Sequence, residues 1–138
     1  VGDDMDISRK VKNLVQKHGT NNPFKIAKEM GIIILFKDVG HAKGYYKRAL
    51  RKKVIVLNER LDEFSMKLTC AHELGHAILH SSKHIQFMLD SKFTRKSIYE
   101  NQANEFAYYL LCEDQTEYCI GDISVDKFFV EELKNKYN

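Results

Sequence analysis

The chain has 138 residues, 43% hydrophobic and 30% charged, with one proline and no low-complexity tract. That composition belongs to one globular domain with a real core; it excludes collagenous and disordered chains, and no apolar run approaches the roughly 20 residues that span a bilayer. The formal net charge is only +3, and direct nucleic-acid binding would need a broader basic patch or a recognisable reading module.

In chain order, Val1–Met5 is acidic and polar, unlike a secretory signal. Met5 is a candidate natural start, so residues 1–4 are set aside as an expression scar and 5–138 is expected to be a single domain. Ile7, Val11, Leu14 and Val15 recur at helical spacing, with His18-Gly19 as a stop. Asn22-Pro23 offers a cap and a first helical residue for a short helix over Pro23–Met30, closed by Gly31. Ile32–Phe36 is a β-branched run and predicts a buried strand. Gly44–Lys47 and Val54–Leu57 predict two more strands. The basic cluster Lys47, Arg48, Arg51, Lys52 and Lys53 is expected to form a solvated hairpin loop between them.

The longest helical signal runs from about Leu61 to His80. A mixed stretch, 81–97, follows; a connection of that length is often functional. A second long helix is expected over Ile98–Cys112, and a last one over Val125–Tyr137 with Ser124 as its cap. Three cysteines, Cys70, Cys112 and Cys119, cannot all pair within one chain and show no C-x-x-C spacing, which fits a reduced cytoplasm.

The chemistry concentrates in "CAHELGHAILH", Cys70–His80. On a helix His72 and His76 lie about 40° and one turn apart, so both rings can reach one ion. Glu73 sits about 100° round from His72, on the flank, where it can approach a water on that ion without ligating it. Cys70, Ala71, Leu74, Ala77 and Ile78 form an apolar stripe on the other side. Gly75 in mid-helix costs about 1 kcal/mol against alanine, which suggests that a neighbouring element packs closely there.

A catalytic zinc takes three protein ligands and keeps one open position. His80 continues the i, i+4 series but lies about 12 Å along the axis from His72, too far for one ion to gather all three rings. It is expected to be a surface residue or a support for the ligands. The longer H-E-x-x-H-x-x-G-x-x-H pattern fails, with Leu79 and Ser82 at its last glycine and histidine positions. "YENQANEFAYYLL", Tyr99–Leu111, offers Glu100 on an inward stripe with Ala103, Asn104, Ala107 and Leu111, while Glu105 points away toward Gln102 and Tyr109. Ser97-x-x-Glu100 also reads as a capping box, so Glu100 is either ligand or cap. The ligand reading is preferred because the two histidines otherwise lack a third partner. Asn104 could then orient a ligating imidazole through a hydrogen bond.

These two segments, "LTCAHELGHAILH" (Leu68–His80) and "ENQANEFAYYLL" (Glu100–Leu111), together resemble the ImmA/IrrE metallo-endopeptidases, and the resemblance extends over about 23–112. It implies an α+β, zincin-like metalloprotease domain: a small antiparallel or mixed sheet packed against the H-E-x-x-H helix and a second, Glu-bearing helix. It implies zinc on His72, His76 and Glu100, with manganese as an alternative working metal, and Glu73 as catalytic base. Cys112-Glu113 stands where such helices often end in Met-Pro.

An oxyanion stabiliser is expected as well, and Tyr46, His84 and Arg95, besides Tyr45 and His41, are the candidates. Gly44–Lys47 is a candidate edge strand for a peptide substrate, and 81–97 could cover the cleft. The implied activity is cleavage of a cytoplasmic protein partner, a helix-turn-helix repressor, which would relieve repression. The alternative is a zinc-holding regulatory or toxin–antitoxin module that binds the repressor without turnover. An intact Glu73 favours the enzyme, since a scaffold has no chemical need for that carboxylate. Neither membrane nor direct nucleic-acid contact is expected.

Overall fold

A computed structural model describes residues 6–81 and 96–112. Four helices and three strands follow in the order α1 (Ile7–His18), α2 (Pro23–Glu29), β1 (Ile33–Lys37), β2 (Gly44–Ala49), β3 (Lys52–Asn58), α3 (Glu63–Leu79) and α4 (Lys96–Cys112). The helix starts carry short polar side chains, of which the sequence marks Asn22. Asp6 accepts from the Arg9 amide, Asn22 from Phe24 and Lys25, and Asp62 from Ser65; each satisfies amides that a helix leaves unpaired at its start. The helix expected over Val125–Tyr137 and most of the 81–97 stretch lie outside the described residues.

The sheet has the order β1-β3-β2. β1 runs parallel to β3, from Ile33↔Val54 to Lys37↔Asn58, and β2 runs antiparallel to it, from Gly44↔Leu57 to Ala49↔Lys52. The result is the small mixed sheet of an α+β fold. Central β3 is buried on both faces, Val54 through Leu57, which is why its sequence is a continuous apolar run rather than an alternating one. Among the described residues β2 is an edge strand. The Asn58 amide donates to the Lys43 carbonyl at 2.8 Å, and antiparallel pairs alternate between bonded and non-bonded. That alternation turns the backbone N–H and C=O groups of Gly44, Tyr46 and Arg48 away from β3.

The basic cluster lies on a hairpin, with Lys47, Arg48, Arg51 and Lys52 exposed, but little of it is loop. β2 and β3 are joined by a two-residue turn, Leu50-Arg51, with φ of 53° and 73°, the mirror-image geometry that suits the twist of a hairpin. Lys47 and Arg48 therefore belong to one strand and Lys52 and Lys53 to the other. Arg48 Nη1 donates to the Ser81 carbonyl at 2.6 Å, and Lys53 Nζ to the Ala77 carbonyl at 3.1 Å. Two of the five cations thus hold the C-terminal end of α3, where unpaired carbonyls carry the negative end of the helix dipole.

α3 lies at the centre, with the sheet on one side and α4 on another. Leu68, Cys70, Ala71, Leu74 and Ala77 of α3 join Phe106, Ala107, Leu110 and Leu111 of α4, Ile55 and Leu57 of β3, and Ile7 and Val11 of α1 in one core. Two glycines permit this closeness. A Cβ on Gly75 would stand 3.1 Å from Phe106, and one on Gly44 would stand 2.5 Å from the Val56 carbonyl and 3.1 Å from Thr69. The neighbour that the sequence anticipated at Gly75 is therefore α4. Burial also pushes the Cys70 thiol up to about 12, so it behaves as a small apolar side chain.

Candidate metal centre

α3 presents His72, Glu73 and His76 on the side away from its apolar stripe, and α4 brings Glu100 across. His72 Nε2 lies 3.0 Å from Glu100 Oε1, and His76 Nε2 lies 2.9 Å from Glu100 Oε2. Glu73 stands farther off, with Oε2 4.0 Å from His72 Nε2. The nearest ligand atoms of His72, Glu73 and His76 all fall within 4.8 Å of one another. The Glu100 carboxylate is spent on the two imidazoles; α4 already begins at Lys96, so Ser97 is inside the helix rather than its cap.

The donor set suits a divalent ion. Donors around a tetrahedral ion at about 2.0–2.1 Å stand about 3.3 Å apart, close to the spacings across Glu100. A bare imidazole nitrogen and a carboxylate oxygen are both acceptors, so at 2.9–3.0 Å they repel unless a proton or a metal ion lies between them. Glu73 stands farther from His72 than Glu100 does, within the same group of possible ligand atoms.

The electrostatics follow from burial and from the two carboxylates. Hydrogen bonds from His72 and then His76 hold the Glu100 carboxyl far below the usual carboxylate range. Burial pulls the His72 imidazole down, but its bond to Glu100 and the charges of Glu73 and Glu100 outweigh that and raise it. Glu73 is raised, chiefly by burial, against the opposing pull of the two histidines. A carboxyl lifted in this way holds a proton more readily than a surface one.

His80 is not a surface residue: its relative exposure is 0%. Its Nδ1 lies 3.0 Å from His76 Nδ1, and its Nε2 lies 2.7 Å from Gln102 Oε1. Burial lowers its pKa to about 4, so it is neutral at physiological pH. Gln102, expected on the far side of α4 with Glu105, instead flanks the packing face and reaches this histidine. The helix-wheel reading misjudged it because α4 touches α3 along Ala103 and Phe106, with Glu100 on one flank and Gln102 on the other. On the His72 side, Nδ1 of His72 and Oδ1 of Asn104 are both buried and unbonded, and the Asn104 amide helps to raise the His72 pKa. One is a potential donor and the other an acceptor.

A cleft of about 280 Å³ opens over the site, lined by Lys43, Leu68, Thr69, His72, Glu73, Glu100 and Asn104. Lys43 escaped the sequence reading. It comes from the β1–β2 loop, which buried Asn58 pins by donating to the Gly40 and Ala42 carbonyls at 3.0 and 2.8 Å. No local pattern in the sequence marks a loop lysine whose position depends on an asparagine fifteen residues later. Tyr46 shares the β2 face with Gly44 and Arg48, packs against the core, and buries its hydroxyl without a bonding partner. It does not line the cleft. Tyr45 points to the other face of the sheet and His41 is exposed. His84 and Arg95 lie outside the described residues. Among the described residues no helix is long and apolar enough to cross a membrane.

Comparison with known proteins agrees with this architecture. The family model of the M78 peptidases, described as the IrrE N-terminal-like domain, matches residues 27–118. The chain is 35% identical over 127 residues to the uncharacterized immunity region protein 2 of Bacillus phage phi105, covering 86% of this chain and 80% of that protein. It is 33% identical over 111 residues to the metallopeptidase ImmA of Bacillus subtilis strain 168, covering 79% of this chain and 64% of that one.

Proposed function

The chain belongs to the M78 peptidase family, that of the IrrE N-terminal-like domain, and from that premise we propose that it is a zinc-dependent endopeptidase whose substrate is a helix-turn-helix repressor. The observation that carries the reading is one carboxylate, Glu100, set between two imidazoles, with Glu73 standing off to the side in the same cleft. His72, His76 and Glu100 would hold the ion. Two imidazoles and one carboxylate suit zinc and also accept manganese. The repressor assignment draws on the phage relative, whose name places it in an immunity region, and on the metallopeptidase name of the Bacillus subtilis relative.

A bound divalent ion would polarise the scissile carbonyl and bring the pKa of a water to about 7. Glu73 takes the proton of the attacking water on a carboxylate oxygen and delivers it to the leaving amide nitrogen. Its burial serves both halves of that task, because a raised carboxyl pKa lets the proton stay until the C–N bond breaks. Burial of His72 and His76 keeps bulk water from competing for their ring nitrogens. Lys43, Thr69 and Asn104 line the same cleft and can donate hydrogen bonds to charge that develops on the carbonyl oxygen. The outward backbone groups of Gly44, Tyr46 and Arg48 suit an extended peptide lying along the edge of β2.

The test is direct. The metal-loaded protein is incubated with the helix-turn-helix repressor encoded beside its gene, and intact masses are followed. Two defined fragments are expected, and Glu73→Gln should slow their appearance by about 10²–10⁴-fold while the bound metal is retained. A stable complex with no fragments would replace the peptidase with a module that binds without turnover.

A further inference from the structure

The two imidazoles that face Glu100 differ at their other ring nitrogen. His76 Nδ1 leads into a chain that runs through His80 to Gln102, which the proposed mechanism does not use. We propose that His80 and Gln102 are positioning residues that lock the tautomer of His76, so that its Nε2 lone pair is free for the metal ion. This rests on the reading of His76 as a ligand.

Hydrogen-bond polarity sets the tautomers along the chain. The atom of Gln102 that meets His80 is its amide oxygen, at 2.7 Å. An amide oxygen only accepts, so the His80 proton sits on Nε2. A neutral imidazole carries one proton, so His80 Nδ1 is bare and accepts from its neighbour. That neighbour is His76 Nδ1, 3.0 Å away, which must therefore carry its proton. The remaining nitrogen of His76, Nε2, faces Glu100 at 2.9 Å; a neutral His76 offers its lone pair there to an ion, and in the ion's absence only a second proton on the ring can bridge it to the carboxylate. Each link excludes the alternative tautomer of the next.

The chain is also held rigidly. His80 is fully buried, its ring lies edge-on to Tyr99 with centroids 4.8 Å apart, and Tyr99 and Gln102 come from the same turn of α4 that supplies Glu100. α4 thus acts on His76 from both ends, through Glu100 at Nε2 and through Gln102 and His80 at Nδ1. A metal-bound histidine commonly has its second nitrogen fixed by a carboxylate, a carbonyl or water; loss of such a partner typically lowers metal affinity 10–100-fold. Here a second histidine takes that place and passes the requirement on to a glutamine.

The experiment has two readouts. Long-range ¹H–¹⁵N spectra of the histidine rings give the His80 tautomer with and without zinc. Chelator competition gives zinc affinity for the wild type, Gln102→Leu and Gln102→Glu, with the thermal midpoint of each metal-free protein as a folding control. The expected result is His80 protonated at Nε2, a zinc affinity about 10–100-fold weaker in Gln102→Leu, and affinity restored in Gln102→Glu, whose carboxylate is again an acceptor. His80 protonated at Nδ1 would overturn the proposal. So would equal zinc affinity in the wild type and Gln102→Leu. A wild type that takes up no zinc, although His80 is protonated at Nε2, would overturn the metal reading itself and reduce the chain to a structural contact.

Discussion

His72 and His76 sit one turn apart on the same helix and face the same carboxylate, yet their surroundings are opposites. His76 is backed by a bonded chain through buried His80 to half-buried Gln102, with its Nδ1 already engaged. His72 is backed by an atom that could complement it, Asn104 Oδ1, with the bond not made. The lesson is that an H-E-x-x-H helix need not treat its two histidines alike. The one deeper in the helix pair is set in advance by packing.

Removing what the two share should have the largest effect. Glu100→Ala takes away the carboxylate between both rings, and zinc affinity should fall by more than the roughly 100-fold upper range for loss of an outer partner. Chelator competition measures it; a smaller loss would mean that Glu73 substitutes. Next, Gly75→Ala forces a methyl to within 3.1 Å of Phe106. The protein should lose about 1–3 kcal/mol of stability in a denaturant titration, and zinc affinity should fall with it because α4, and Glu100 on it, must move. Unchanged stability would show that the two helices can separate freely.

Acid should expose the buried side of the comparison. His80 has a folded pKa of about 4 against an ordinary value of about 6.5. Between these values the unfolded chain binds a proton that the folded protein refuses, so stability is complete above about pH 6.5 and is lost as pH falls toward 4. His72 and Glu73, with raised pKa values, act in the opposite direction. The clean comparison is therefore wild type against His80→Gln, both metal-free: the wild-type thermal midpoint should fall more steeply from pH 6.5 to 4. Parallel curves would mean that His80 takes up its proton in the folded state. The smallest effect is expected at Asn104→Ala. Since the contact between His72 and Asn104 falls short of standard hydrogen-bond geometry, zinc affinity should weaken by less than about 10-fold, the lower end for such partners, and by less than in Gln102→Leu. Equal losses would erase the asymmetry.

Much of this was legible in the residues. Short-range rules give α1, α2 and the approximate span of α3, because an apolar period, a cap and a stop each act within a few residues: Gly19 ends α1, and Asn22 and Pro23 open α2, whereas Asp62, the cap of α3, falls one residue inside the expected start at Leu61. The i, i+4 spacing puts His72 and His76 on one face, and Gly75 announces a close neighbour. The placement of Glu100 depended on elimination, since only the pairing of α3 with α4 decides whether that carboxylate turns to its own helix start or across to the imidazoles. The basic cluster misled because charge patterning cannot reveal that a hairpin crosses a helix end, which is what gives Arg48 and Lys53 their carbonyl partners.

By itself, then, the sequence determined the elements, the family pattern and the chemistry available on α3, since all of these are local or periodic. Tertiary structure alone decided what each polar group meets. It buried His80, turned Gln102 inward and carried Lys43 to the cleft on a loop pinned by Asn58. The physical reason is that a hydrogen bond needs its two atoms within a few tenths of an ångström of ideal distance. Such precision comes from the packing angle between elements, which no single stretch of chain encodes.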